Sequence, residues 1–174
     1  MSDGLKLKAE DAEDLRVMAA VLQDSLVPIS DMQFLPDERR FVLVANRFRW
    51  ENCDDVGGPV GDENAPAATP VKQAAAASEA LDPAFEPCSA YERVNCGICF
   101  EGVRAVRRKG FSLQDRGRIL ELLTIECEGD GIVVVFADGA MIRLEGAAIR
   151  CHLKDLGEPW PTRWRPHHPV EDAV

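Results

Sequence analysis

The sequence predicts an α+β protein with a mainly antiparallel, strongly twisted sheet or partly closed β-barrel and a helix near each end of the chain. Three observations predict this class. Strand-like runs are joined by tight turns, an amphipathic helix pattern begins near residue 11, and a second apolar helical pattern near residue 150 ends in glycine and proline.

The first strand is expected over residues 5–8 and is followed by a helix that ends near Asp24. Asp11 has the residue type and position of a helix N-cap, and Glu13 and Asp14 place negative charge on the first turn. The apolar face of this helix has the required spacing and comprises Leu15, Met18, Ala19 and Leu22.

Two further strands are expected over residues 26–35 and 40–50, separated by a Pro36-Asp37-Glu38 turn. In the second of these, alternation places Val42, Val44, Phe48 and Trp50 on one face. Arg47 and Arg49 fall on the other face, so we expect both arginines to point to solvent.

The second half begins with an extended stretch over residues 94–106 and continues as a meander of strands at 120–128, 132–137 and 140–145. Asp138-Gly139 suits a hairpin turn, since it supplies positive φ angles. A helix is then expected over 147–156, with Gly157 as its terminator, and a proline-rich tail whose tryptophans pack back onto the body. A C-terminal helix capping strands makes a pleckstrin-homology-like barrel one compatible architecture.

Residues 53–90 differ in composition from the rest of the chain. Between residues 53 and 87, seven acids stand against Lys72 alone, among many alanines and prolines with no apolar periodicity. This composition predicts a flexible acidic insertion. Each flanking part is too small to close its own core, so we expect one domain over residues 1–174 that contains the insertion.

The overall composition is that of an ordinary globular protein, with 46% hydrophobic and 29% charged residues. No apolar run approaches the roughly 20 residues that a membrane helix needs, and no secretory leader pattern opens the sequence. We therefore expect a cytoplasmic protein without membrane association. Its six cysteines are expected to be mostly reduced thiols.

Several short sequence words carry a family resemblance. They are LKLKAEDAEDL from residue 5, LQDS from residue 22, FVLVANRFRW from residue 41, and LKDLGEPW from residue 153. With them the chain resembles a bacterial family called domain of unknown function 2948, across nearly its whole length except the acidic stretch. The resemblance implies no activity, and Cys96 and Cys99 lie outside its pattern.

The most distinctive candidate site is basic. Although the net charge is −10, residues 92–118 carry seven bases against three acids. Arg104, Arg107, Arg108 and Lys109 form a cluster that Arg47 and Arg49 join if the two halves meet. Such a cluster can hold phosphates, with Trp164, Trp50 or Phe48 stacking on bases. The plainer interpretation is a basic strand end paired with local acids.

Catalytic and metal patterns are weaker. Cys96-Gly97-Ile98-Cys99 is the only CxxC, and it falls inside an expected strand, where residues three apart point to opposite faces. His152 is expected on the last helix one turn before Asp155, without a recognisable nucleophile nearby. Neither pattern predicts a catalytic residue, a metal or another cofactor.

The sequence therefore favours a non-catalytic binding or adaptor protein, with a protein partner contacting the arginines and the Trp-Pro tail. The first alternative is binding of RNA or another polyanion through the arginine cluster. The second is a zinc-dependent or hydrolytic enzyme. Ligand identity and oligomeric state do not follow from the residues.

Overall fold

The computed structural model of the chain describes residues 4–52, 91–146 and 148–166. The predicted insertion over residues 53–90 lies outside the described residues, as do His167 and His168.

One helix, α1 (Ala12–Leu22), lies near the start of the described chain. The predicted N-cap is confirmed, since the Asp11 side chain accepts a hydrogen bond of 2.8 Å from the Asp14 backbone N–H. The whole predicted apolar face, Leu15, Met18, Ala19 and Leu22, is buried. None of the helices in the described ranges is long and apolar enough to cross a membrane.

The described strands form one antiparallel sheet. They are β1 (Lys6–Ala9), β2 (Ser25–Pro28), β3 (Met32–Leu35), β4 (Arg40–Phe48), β5 (Tyr91–Glu101), β6 (Ala105–Lys109), β7 (Ile119–Glu128), β8 (Gly131–Phe136), β9 (Met141–Glu145) and β10 (Arg150–Thr162). Their order across the sheet is β1-β10-β5-β4-β2-β7-β8-β9-β6, with β3 also pairing with β4. The sheet does not close, so β1 and β6 are its end strands.

Strands from both sides of residues 53–90 pair directly, since β4 and β5 are neighbours with Arg40 opposite Glu101 and Phe48 opposite Arg93. One cluster of buried apolar side chains includes residues from α1, β4, β5, β7, β8, β9 and β10. We call the sheet face that α1 covers the inner face and the opposite one the outer face.

The predicted C-terminal helix is wrong. Residues 150–162 form β10, which pairs with β1 on one side and with β5 on the other. Strand alternation buries Cys151 and Leu153. Pairing on both sides stabilises residues 150–162 as a strand, whereas a short helix without tertiary packing is only marginally stable in water. Gly157 does adopt a positive φ of 77°, but it lies in a bulge between Leu156 and Trp160. The pleckstrin-homology-like architecture was suggested by this C-terminal helix, so the reason for suggesting it is removed.

The face assignment of β4 is also wrong. The buried residues of this strand are Phe41, Leu43, Ala45, Arg47 and Phe48, whereas Val42 and Val44 are half-buried on the outer face. Burial alternates from Phe41 to Arg47, but the phase is reversed, because apolar residues occupy both faces and the sequence does not mark which face α1 covers.

Turn chemistry was predicted more accurately than strand phase. Asp138 and Gly139 have φ angles of 59° and 71°, which confirms the positive values expected between β8 and β9. The expected single strand over residues 26–35 is divided into β2 and β3 by the helical turn Ile29–Asp31. Short turns are local, so the residues that form them carry most of the signal.

Candidate functional site

The basic residues of β6 lie on an end strand of the sheet. Arg104, Arg107, Arg108 and Lys109 are all exposed, and β6 pairs with β9 alone among the described strands. An end strand presents unpaired backbone N–H and C=O groups along its outer side, and charged side chains there prevent unwanted pairing. We call the three basic residues of β6, together with Arg104, which immediately precedes the strand, the β6 edge.

Cations project from both faces of the β6 edge. Arg107 lies directly opposite Arg143 of β9, and Arg108 lies opposite Ile142, whose side chain is buried on the inner face. Like charges directly opposite each other in a sheet are destabilising. Acids relieve this repulsion, since Arg107 Nε lies 2.6 Å from Glu145 Oε1 and Arg143 pairs with Glu128.

Arg47 occupies a different environment. Its side chain is fully buried, so the expectation that it points to solvent is wrong. Its Nε and Nη2 donate hydrogen bonds of 2.8 Å to the two carboxylate oxygens of Asp155, and Nη1 and Nη2 donate bonds of 3.0 Å and 2.8 Å to Glu51. Two carboxylates thus hold one guanidinium in a geometry that Arg is suited to satisfy.

Protonation in this cluster follows from the ion pairs. Burial by itself lowers the pKa of Arg47, but hydrogen bonds from its guanidinium to Asp155 and Glu51 outweigh burial and raise it. Burial raises the pKa of Glu51, and the hydrogen bonds from Arg47 outweigh that and lower it. Both groups are therefore held in their charged forms.

Asp155 extends the cluster to the N-terminal strand. Its Oδ2 accepts a hydrogen bond of 2.9 Å from the Leu5 backbone N–H, and its own backbone N–H donates one of 2.9 Å to the Leu5 carbonyl. We call this group the Arg47–Glu51–Asp155 cluster. It joins the residue before β1 and the end of β4 to the middle of β10. Its chemistry is that of a structural connection, because every strong polar group in it is engaged within the protein.

Arg49 also forms ion pairs within the protein. Its Nη1 lies 2.7 Å from Glu92 Oε2, its Nε lies 3.5 Å from Glu51 Oε1, and only 16% of its side chain is exposed. The expectation that Arg49 points freely to solvent is therefore wrong.

The basic residues expected to converge do not. Glu101, at the end of β5 that leads into β6, lies opposite Arg40, whereas Arg47 lies opposite Val94. Arg47 is therefore seven residues, or roughly 23 Å, along the strands from the start of the β6 region. Trp164 is 82% exposed and follows Thr162, which pairs with Tyr91 at the far end of β5. Trp164 therefore neither packs onto the body as expected nor lies beside the β6 edge.

The cysteine pair behaves as strand geometry predicts. Cys96 is buried on the inner face, whereas Cys99 is half-buried on the outer face. Burial raises the pKa of Cys96 to about 12. The pKa of Cys99 is also raised, mainly by burial and to a smaller extent by the negative charge of Glu101. Two thiols on opposite faces cannot bind one ion, and no group of three or more metal-ligating side chains occurs within the described residues.

One constellation was missed because His152 was expected on a helix. As a β10 residue, His152 lies directly opposite Cys99, and its Nε2 is 3.4 Å from Glu101 Oε2. Cys, His and Glu together suggest nucleophilic catalysis. The raised pKa of Cys99 disfavours the thiolate, and its strand pairs on both sides, with β10 and β4, so its backbone is engaged in the ladder. The arrangement lacks the features of an activated nucleophile.

A groove of about 670 Å³ lies between α1 and β7. Its wall includes three alanines of the helix, and its ionisable members are Arg16, Glu126 and Cys127.

Fold and site together define the class of this protein: an open antiparallel sheet with a helix on one face and a basic end strand. The family model described as "Protein of unknown function (DUF2948)" matches residues 5–168. The chain therefore belongs to this family, as its sequence words indicated. No curated protein sequence and no solved structure matches the chain.

Proposed function

We propose that this chain is a non-catalytic binding protein that holds an extended, acidic segment of a partner protein along the β6 edge. The observation that carries the proposal is the coincidence of an open backbone edge on one end strand with four exposed cations, three in the strand and Arg104 immediately before it. When a peptide adds to a sheet as a strand, the open backbone edge forms the main-chain hydrogen bonds and the cations recognise its side chains.

Charge on both faces of the edge supports an extended peptide. Successive side chains of an added strand alternate between faces, so carboxylates on one face would meet Arg107, and those on the other would meet Arg108. A carboxylate beside Arg107, on the side away from β9, would also offset the positive charge that Arg107 and Arg143 bring together.

RNA binding is supported less well. Single-stranded nucleic acids usually need aromatic platforms beside the basic groove. Of the aromatic residues expected to serve, Phe48 is buried and Trp164 is at the other end of the β5 ladder. The β6 edge thus offers phosphate contacts without a stacking surface among the residues that the sequence suggested.

The test is a binding titration with a peptide of about eight residues that repeats Glu-Glu-Val-Val, which places glutamates on both faces of the added strand and is long enough to pair with a short strand. We expect binding that weakens with salt and falls about tenfold in the Arg107→Ala/Arg108→Ala variant. An analogue N-methylated at alternate residues should not bind, because it lacks ladder hydrogen bonds. The matched control is Arg16→Ala/Arg163→Ala, two exposed arginines on α1 and just after β10, which should bind normally.

A single-stranded RNA oligonucleotide provides the competing probe. Steep salt-dependent RNA binding that depends on Arg107 and Arg108, with no peptide binding, would replace this proposal with the polyanion alternative. Equal binding of the methylated and unmethylated peptides would exclude strand addition.

A further inference from the structure

A second surface lies on the outer face of β4, β5, β10 and β1, remote from the β6 edge in the strand order. It contains an open groove of about 320 Å³ whose lining is almost entirely apolar, with Val42, Val44 and Gly97 among the lining residues. We call it the outer groove. Leu156, which is 42% exposed, extends the apolar surface beside Gly97.

Strand register arranges the outer groove in two parallel rows. One row contains Val44, Gly97, Lys154 and Lys6, which lie opposite one another from β4 to β1. The other contains Val42, Cys99, His152 and Lys8 in the same order. Each row therefore begins with an apolar residue and ends with two basic ones, so the groove has an apolar floor and one basic side.

The charges on that side are unevenly neutralised. Lys8 Nζ lies 2.8 Å from Glu10 Oε1, and His152 lies near Glu101. Lys6 and Lys154 are exposed and directly opposite each other, and within the described ranges neither has an acidic partner. Because opposed like charges destabilise a sheet, an anion placed between these lysines would stabilise it. The acid at the other side of the groove is Asp31.

We infer that the outer groove binds an amphipathic α-helix of a partner protein, with its apolar stripe on Val42 and Val44 and a row of carboxylates toward Lys6 and Lys154. The dimensions suit a helix. Four adjacent strands span roughly 14 Å, compared with roughly 10–12 Å for a helix with side chains. Carboxylates one helical turn apart would match the spacing of the two rows.

The charge of the outer groove favours an acidic helix over a second copy of the chain as its occupant. A two-fold symmetric contact would bring together the two lysines and the single Asp31 of each copy, four lysines with two carboxylates. Positive charge would remain in excess. An acidic helix supplies the complementary charge instead, and the helix-in-groove mode is a recurrent form of peptide recognition.

The experiment uses the full chain and two synthetic helical peptides of about 16 residues, roughly 24 Å long. Both carry the same leucine stripe; one has glutamates along one side of it, and the other has lysines at those positions. We expect fluorescence anisotropy to show binding of the glutamate peptide and at least about tenfold weaker binding of the lysine peptide. Lys6→Glu/Lys154→Glu should reverse this preference, and Val44→Asp should abolish binding of both peptides.

Arg107→Ala/Arg108→Ala is the control, and it should leave helix binding unchanged, which separates this inference from the proposed function of the β6 edge. Binding of neither peptide, or equal binding of both, would overturn the inference. Light scattering that shows a dimer lost in Val44→Asp would assign the surface to a second copy. Binding to anionic lipid vesicles in place of the glutamate peptide would assign it to a lipid.

Discussion

Arg47 and Arg107 have the same side chain in opposite environments. Arg47 is completely buried and bonded to two carboxylates, whereas the side chain of Arg107 is 75% exposed and paired with Glu145 alone. Burial removes water as an alternative partner, so the buried ion pairs must be complete, while exposed pairs exchange freely with solvent. The same residue type thus serves structure in one region and is available for recognition in the other.

The largest expected change in stability is caused by Arg47→Ala. This change leaves the carboxylate of Asp155 in a site that is 5% exposed, without its cation. We expect the free energy of unfolding, measured by urea denaturation, to fall by about 3–5 kcal/mol. A loss below about 1 kcal/mol would mean that the buried cluster does not connect the strands as described.

A double-mutant cycle separates the ion pair from general packing. Asp155→Asn keeps an oxygen for the Leu5 N–H but removes the negative charge. Combined with Arg47→Met, it should be less destabilising than the sum of the two single changes, by about 1–3 kcal/mol. Additive effects would argue against direct coupling.

The next effect is the dependence of stability on pH. Because hydrogen bonds from Arg47 outweigh burial and lower the pKa of Glu51 in the folded state from its ordinary value of 4.5, its contribution to stability is present above pH 4.5. It should be lost as the pH falls through the lower folded-state pKa. Denaturation curves from pH 7 to pH 3 should therefore show less acid sensitivity in Glu51→Gln than in the unchanged chain, and identical curves would contradict this assignment.

The smallest expected effect is from Arg107→Ala. Exposed ion pairs contribute about 0–1 kcal/mol, and removing Arg107 also relieves its repulsion with Arg143. We expect the unfolding free energy to change by less than about 0.5 kcal/mol while peptide binding at the β6 edge weakens. A destabilisation comparable to that of Arg47→Ala would remove the contrast between the two regions.

Local chemistry was readable from the sequence. The carboxylate of Asp11 caps α1, and Asp138-Gly139 adopts the positive φ angles that its turn requires, because both depend on residues close in the chain. The basic character of residues 104–109 was equally apparent. Their placement on an end strand was not, since strand order depends on pairing partners distant in sequence.

The errors share one physical cause. Ile149, Leu153 and Leu156 have helical spacing, but Cys151 and Leu153 equally fit an alternating strand, and pairing with β1 and β5 decides between them. The strand form of β10 then puts His152 beside Cys99 and Asp155 beside Arg47. An arginine in a strand gives no signal of burial when its partner, Asp155, is 108 residues away.

The sequence by itself determined the antiparallel character of the protein, the start of α1, the hairpin turn after β8 and the presence of exposed basic residues. These depend on backbone preferences and side-chain periodicity, which act over a few residues. Only the tertiary structure decided which face of β4 is buried, that β10 is a strand, and which arginines are neutralised. Those outcomes depend on which distant groups meet after solvent is excluded, and no local pattern contains that information.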